Sequence, residues 1–201
     1  MCRLGDMKKG KYNNIIAVTN RHLCSGDFLQ KINELAGLDI DSIILREKDL
    51  SVIEYKELAN KVLDICAKHN KTCILHNFWE IALELGCPDI HIPLDVFRKN
   101  VEKINESIKN GNFKRIGTSV HSVEDAKEAI SYGATYLIAG HIFATDCKKD
   151  LEPRGLDFLK AVCSSVEVPV YAIGGINMDR MESVIQCGAK GGCIMSGFMR
   201  P

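Results

Sequence analysis

Short apolar runs rich in β-branched residues recur along the chain, and segments with helical spacing separate them. The strand-like runs cover residues 15–20, 42–47, 72–77, 89–94, 115–120, 136–143, 168–175 and 191–197. In the intervening segments apolar residues recur every three or four positions, as at Leu58, Val62 and Ile65. Eight repeats of strand and helix in 201 residues predict an α/β fold whose parallel sheet closes into a (β/α)8 TIM barrel, in preference to an open doubly wound sheet.

Capping residues support these boundaries. Ser51 and Ser122 stand where helix N-caps are expected, because a serine hydroxyl can accept a hydrogen bond from a free N–H of the first turn. Gly86, Gly133 and Gly188 each follow a helical segment and precede a strand, as a left-handed C-cap requires.

The pattern indicates one barrel domain over residues 15–201, preceded by a flexible lead-in over residues 1–14. The sequence ends immediately after the eighth predicted strand, so we expect the usual eighth helix to be absent. Either a partner covers that flank, as a homodimer would, or the sequence is cut short.

Composition narrows the expected partners and location. Lys plus Arg and Asp plus Glu each count 26, and no basic block favours nucleic acid as a partner. The nine cysteines form no C-x-x-C motif, and most lie within apolar runs rather than in the loop framework of a small secreted protein, which indicates a reducing cytosol. No apolar stretch approaches the roughly 20 residues that span a bilayer. We therefore expect a cytoplasmic protein that binds neither nucleic acid nor membrane.

Polar side chains follow several of the predicted strands. In a parallel barrel the carboxyl ends of the strands form the active-site mouth, so these residues are expected to share one site. Taken singly, each is as well explained by a surface charge or a satisfied core group; their common position favours a site. The candidates are Arg46, Lys48, His76, Asn77, Ser119, His141, Thr145 and Lys148.

Glycine-containing turns follow the last two predicted strands, at Gly174-Gly175 and Ser196-Gly197. Glycine lets the backbone approach a ligand closely, and phosphate sites in this fold often form after strands seven and eight. The sequence therefore predicts a phosphorylated ligand. Carboxylates that could hold a metal are scarce at the same mouth, where Asp95 and Asp146 are the nearby acids, so we expect no metal site.

Several motifs together resemble the thiamine phosphate synthase and TenI superfamily of (β/α)8 barrels, over residues 15–197. They are LREK at 45–48, GTSVHS at 117–122, GHIFATDCK at 140–148, IGGI at 173–176 and MSG at 195–197. The loop that begins at Gly140, with the following residues to Gly155, resembles the TenI thiazole tautomerase in particular.

The resemblance implies a metal-free isomerase that moves a proton within a carboxythiazole phosphate and so makes the ring aromatic. It assigns the proton transfer to His141, because an unperturbed imidazole can take up and return a proton near neutral pH. It implies no cofactor. The remaining expected roles are phosphate binding by Gly174, Gly175, Ser196 and Gly197, carboxylate binding by Arg46, Lys48 or Lys148, and orientation of the substrate by Ser119 and Thr145.

Two alternatives remain open. The first is thiamine phosphate synthase, which joins a pyrimidine diphosphate to a thiazole phosphate with Mg²⁺. The synthase pattern has Gln, Asn-Asp and Gln-Glu-Asp where this chain has Ile44, His76-Asn77 and residues 94–96, so the expected Mg²⁺ carboxylates are missing. The second is a regulatory barrel that binds a thiazole phosphate without catalysis.

Two further features qualify the tautomerase interpretation. Its pattern ends strand three with Asn-Gly, where this chain has His76-Asn77 followed by Phe78-Trp79. Replacement by these bulky side chains could alter the pocket. We expect His91 and His121 to be structural, because His91 lies within an apolar strand and His121 belongs to the common turn after strand five.

Overall fold

Eight parallel strands close into a barrel in chain order, from β1 beside β2 around to β8 beside β1. The structure is a computed structural model that describes residues 14–145 and 151–200. The strands are β1 Ile15–Val18, β2 Ser42–Leu45, β3 Thr72–His76, β4 Asp89–His91, β5 Arg115–Val120, β6 Tyr136–Gly140, β7 Val170–Ile173 and β8 Gly191–Ile194. The helices are α1 Phe28–Ala36, α2 Val52–Lys68, α3 Trp79–Glu84, α4 Leu94–Lys109, α5 Val123–Ser131, α6 Gly155–Ser165, α7 Met178–Gln186 and α8 Ser196–Met199, with a 3-10 turn at Arg21–Leu23.

The predicted (β/α)8 barrel is confirmed, and all eight predicted strands are present. Most end one to three residues earlier than predicted, because the apolar runs continue into partly buried loops that follow the strands. The prediction that the eighth strand continues to residue 197 is wrong. Strand β8 ends at Ile194, and the residues after it turn into the one-turn helix α8, whose Phe198 and Met199 are buried.

Two apolar layers hold the fold together. The larger layer packs the outer face of the sheet against the helices, as Val62 of α2 and Leu159 of α6 illustrate. The smaller layer fills the inside of the barrel, as expected for a packed barrel rather than a pore. Its members are Ile16, Val18, Ile44, Ile74, Tyr136, Ile138, Tyr171 and Cys193.

The predicted caps form. Ser51 makes a reciprocal capping box with Glu54, and the Ser122 hydroxyl accepts from the Asp125 N–H at 2.9 Å. Gly86, Gly133 and Gly188 all have positive φ. These local signals start and stop the helices so that successive strands fall in register around the barrel.

The predicted flexible lead-in over residues 1–14 stays a prediction, because residues 1–13 lie outside the described residues. The Asn14 carbonyl accepts from the Gly192 N–H at 3.2 Å, which joins the start of β1 to β8. Across the described ranges, no helix is both long enough and apolar enough to cross a membrane.

Candidate functional site

A cavity of about 540 Å³ opens at the carboxyl ends of the strands. This volume falls within the usual range for small-molecule sites, about 300–1,000 Å³. Every strand contributes at least one residue to its wall, either at its own end or in the loop that follows. Of the predicted site residues, the wall contains Arg46, Lys48, His76, Ser119, His141, Thr145, Gly174, Gly175 and Ser196.

A buried carboxylate fixes the turn that carries Arg46 and Lys48. Glu47 is 2% exposed and accepts from the Thr19 hydroxyl at 2.6 Å and from the Arg21 N–H at 3.0 Å. The Thr19 hydroxyl in turn accepts from the Arg46 N–H at 2.9 Å. Because the middle residue points into this network, the two cationic side chains on either side of it lie at the pocket wall.

Two histidines stack beneath these cations. The rings of His76 and His91 are 5.6 Å apart and inclined by 19°. Burial lowers the pKa of His91 to about 3, with a further contribution from Arg46 and Lys48, and burial likewise holds the pKa of His76 well below its usual value. Both rings are therefore neutral near pH 7, so His76 offers the pocket a neutral hydrogen-bonding group.

His141 lies in the wall and is 4% exposed. Its Nε2 is 3.2 Å from the Leu151 carbonyl oxygen. Because a carbonyl can only accept, Nε2 must carry the proton in the neutral ring. Nδ1 is then the nitrogen that can take up a proton.

The glycine turn after β7 packs directly against His141. Gly174 and Gly175 both have positive φ, and a Cβ built on Gly174 would collide with the Cα and Cβ of His141. Arg180 holds the turn from outside, donating to the Gly175 carbonyl at 2.7 Å and lying over the Phe143 ring at 4.6 Å. Only glycine lets the turn and the histidine approach so closely.

Backbone N–H groups suited to an anion lie at the ends of β7 and β8. Among the residues that the structure describes, the N–H groups of Gly175, Ser196 and Gly197 donate to no other protein group. Such N–H groups in loops and first helical turns are typical ligands of phosphate oxygens.

Some predicted residues do not reach the pocket. Asn77 is absent from the wall, and its backbone turns away with φ 71° while its N–H donates to the His91 carbonyl. Gly197 lies in α8 and contributes no wall atoms. Phe78 packs on Tyr55, with ring centroids 4.4 Å apart, and Trp79 is buried in the outer core, so neither fills the pocket. Lys148 and Asp146 lie outside the described residues.

The wall also contains residues that were not predicted to contact a ligand, among them the polar residues Arg98, His121 and Asp125. His121 was expected to be structural. It does hold the backbone, since its Nδ1 is 2.7 Å from the Gly140 carbonyl oxygen, yet it also faces the cavity. Arg98 follows the start of α4 by one turn, and the first turns of the helices border the mouth of a barrel. That position was the signal that could have found it.

The carboxylates at the pocket do not form a metal site of the kind that the synthase resemblance implies. Asp95 and Asp125 lie in the wall, and the Asp125 carboxylate already accepts from the His121 N–H at 2.9 Å. Within residues 14–145 and 151–200, no group of three or more His, Cys, Asp or Glu residues could hold a metal ion. The described donors are therefore fewer than a metal site built from protein side chains alone would need.

The fold and the cavity define a (β/α)8 barrel with a small-molecule site at the carboxyl ends of its strands. The family model described as thiamine monophosphate synthase matches residues 15–198, and the chain belongs to this family.

Individual relatives agree with this assignment. The thiamine-phosphate synthase of Clostridium acetobutylicum is 32% identical over 193 residues, covering 96% of this chain and 90% of the relative. The thiamine-phosphate synthase of Clostridium tetani is 34% identical, with 90% and 86% covered. Among solved structures, the thiamine phosphate pyrophosphorylase from Pyrococcus furiosus superposes with a TM-score of 0.76 at 27% identity, covering 94% of this chain and 88% of that one.

Proposed function

We propose that this protein acts in thiamine biosynthesis as a thiazole tautomerase, moving a proton within a carboxythiazole phosphate with His141 as acid and base. The observation that carries the proposal is the position of His141, whose imidazole lies in the pocket wall against the glycine turn. The relatives' names support the pathway but favour the synthase reaction, which is therefore kept below as a second candidate.

The substrate's two anionic groups have separate candidate partners in the wall. The N–H groups of Gly175 and Ser196 in the wall, with that of the adjacent Gly197, suit the phosphate, and Arg46 and Lys48 after β2 suit the carboxylate. Binding at both ends holds the ring between them. The proton then has only to leave one carbon and arrive at another.

The hydrogen bond to Leu151 suits His141 for this step. With Nε2–H donating to the carbonyl, Nδ1 can remove the proton, and the resulting imidazolium keeps its partner at Nε2. The imidazolium returns a proton to the second carbon and is neutral again. Aromatisation of the ring drives the net reaction, so the enzyme has only to lower the barrier.

The first test is turnover of the exocyclic-alkene tautomer, followed by NMR as the aromatic product forms. His141→Gln should slow turnover by at least about 10²-fold, the usual contribution of a general acid or base, while product affinity changes little. His69→Gln, at the far end of α2, is the matched control and should turn over normally. Equal rates in the His141 variant and the wild type would remove His141 from the mechanism.

The synthase reaction is the second candidate because the curated relatives carry that name. Its test is formation of thiamine phosphate from the pyrimidine diphosphate and the thiazole phosphate in the presence of Mg²⁺. Robust product, with no aromatisation of the alkene tautomer, would replace the isomerase proposal. Tight binding of the thiazole phosphate with neither reaction would indicate a regulatory binder.

A further inference from the structure

A buried chain of hydrogen bonds runs from the interior of the barrel to the pocket wall. The Tyr136 hydroxyl is 3.1 Å from Nδ1 of His91, and Nε2 of His91 is 3.0 Å from the Ser119 hydroxyl. Tyr136 and His91 are each 2% exposed, whereas Ser119 borders the cavity. The neighbouring Gly117 makes this contact possible, because the Tyr136 ring lies where a Cβ on residue 117 would be.

The direction of the chain follows from where each proton can go. Burial raises the pKa of Tyr136 well above its usual value, so its hydroxyl keeps its proton. The only hydrogen-bond partner of that hydroxyl among the described residues is Nδ1 of His91. If the histidine donated instead, the tyrosine proton would be buried without an acceptor, which costs about 1–3 kcal/mol. The tyrosine therefore donates and Nδ1 accepts.

The serine then has one arrangement left. A neutral imidazole that accepts at Nδ1 carries its proton on Nε2, so His91 donates to the Ser119 oxygen. The Ser119 hydroxyl hydrogen is thereby released from the protein and can point into the cavity. Since burial keeps His91 neutral, this arrangement persists across the physiological pH range.

We infer that the hydrogen bonds from Tyr136 to His91 and from His91 to Ser119 form a relay with one fixed donor-to-acceptor direction. This relay makes Ser119 a hydrogen-bond donor to an anionic oxygen of the ligand. His91 and Tyr136 are positioning residues in this scheme, and Ser119 makes the contact. The inference rests on the proposed function for the identity of the ligand, a carboxythiazole phosphate, but not for the direction of the relay. It gives His91 a role beyond filling the core.

The direction can be measured without any ligand. In protein labelled with ¹⁵N-histidine, the ring nitrogen shifts and their coupling to carbon-bound protons report which nitrogen of His91 is protonated. We expect the Nε2–H form in the wild type. A predominant Nδ1–H form would overturn the relay, whether or not the protein isomerises a thiazole.

The functional consequence is tested by a double-mutant cycle on affinity for the aromatic carboxythiazole phosphate. Ser119→Ala should weaken binding by roughly 10-fold or more, the scale of a hydrogen bond to a charged group. Tyr136→Phe should weaken it several-fold, because His91 can then accept from Ser119 and compete with the ligand. In the Ser119→Ala background, Tyr136→Phe should have no further effect.

Tyr171→Phe is the matched control. Tyr171 lies edge-on to Tyr136, with ring centroids 6.1 Å apart, and is not a hydrogen-bond partner of His91. It should bind the ligand as the wild type does. Additive losses from Ser119→Ala and Tyr136→Phe would show that the tyrosine acts through packing and would refute the coupling.

Two truncated ligands identify the oxygen that Ser119 contacts. One lacks the carboxylate and the other lacks the phosphate. The Ser119→Ala loss should disappear for whichever ligand has lost the contacted group. If Ser119→Ala binds the complete ligand as tightly as the wild type does, Ser119 donates to neither group and the inference fails.

Discussion

At the scale of single residues, the neutral histidines beneath the pocket should lower the free energy of unfolding at acid pH. The pKa of His91 is about 3 in the folded protein and about 6.5 in an unfolded chain, and that of His76 is also lowered. Between pH 3 and pH 6.5 the unfolded chain binds more protons at His91 than the folded protein does. Folding stability from these groups is therefore fully present above about pH 6.5 and is lost as the pH falls toward 3.

Urea unfolding at a series of pH values checks this expectation. Below about pH 6.5, each buried histidine should add up to about 1.4 kcal/mol per pH unit to the loss of unfolding free energy. Below about pH 6.5, His91→Gln should reduce the slope of unfolding free energy against pH by up to about 1.4 kcal/mol per pH unit. The variant should also have a lower unfolding free energy than the wild type at neutral pH. An unchanged slope would mean that His91 is already solvated or charged in the folded state.

At the scale of elements, the β7 turn positions the β6 histidine. Gly174→Ala places a methyl group against His141 and puts a non-glycine residue at φ +97°. We expect turnover of the thiazole to fall at least about 10-fold, because a displacement of about 1 Å at a reacting group can cost 10²-fold. Steady-state kinetics on the purified variant provide the measurement.

Gly86→Ala is the matched control, because it adds backbone strain without pushing on a neighbouring side chain. Gly86 also has positive φ, at +64°, but beyond its chain neighbours no atom lies within 4 Å of the position that a Cβ would take there. This variant should lose about 1 kcal/mol of stability and keep its turnover. If both variants lose activity equally, general destabilisation rather than movement of His141 explains the effect.

The same elements show how far sequence reasoning reaches. Strand order and helix caps could be predicted, because β-branched runs, Ser51 and Gly86 act locally. The ends of the strands could not, since a buried loop and a paired strand are equally apolar. Asn77 was wrongly predicted to line the pocket, because the pattern of apolar residues does not reveal its left-handed backbone. Arg98 was not predicted, because it reaches the pocket from a helix rather than from the end of a strand.

The relay to Ser119 was beyond the reach of the sequence for a further reason. His91 was expected to be a satisfied core histidine, and its two hydrogen bonds agree with that expectation. Tyr136 meets it only because β4 and β6 both flank β5 and Gly117 leaves room for the ring. A contact across an intervening strand depends on the order and register of three strands, which no short motif specifies.

At the scale of the whole molecule, stability and ligand binding are carried by different layers. The pocket is built from strand ends and loops, whereas the outer core lies between the sheet and the helices. Leu35 of α1 is fully buried in that outer core and contributes nothing to the pocket wall. Leu35→Ala should therefore cost about 2–5 kcal/mol of unfolding free energy and leave the affinity for the carboxythiazole phosphate unchanged.

Ile185→Ala, on the exposed face of α7, is the matched truncation outside the core. Ile185 is 42% exposed, so little apolar surface returns to water and the stability should change by well under half as much. Urea unfolding and calorimetric titration of the same protein samples measure both quantities. Because a closed barrel fixes its strand ends through the sheet, a loss of affinity in folded Leu35→Ala would show instead that helix packing sets the pocket geometry.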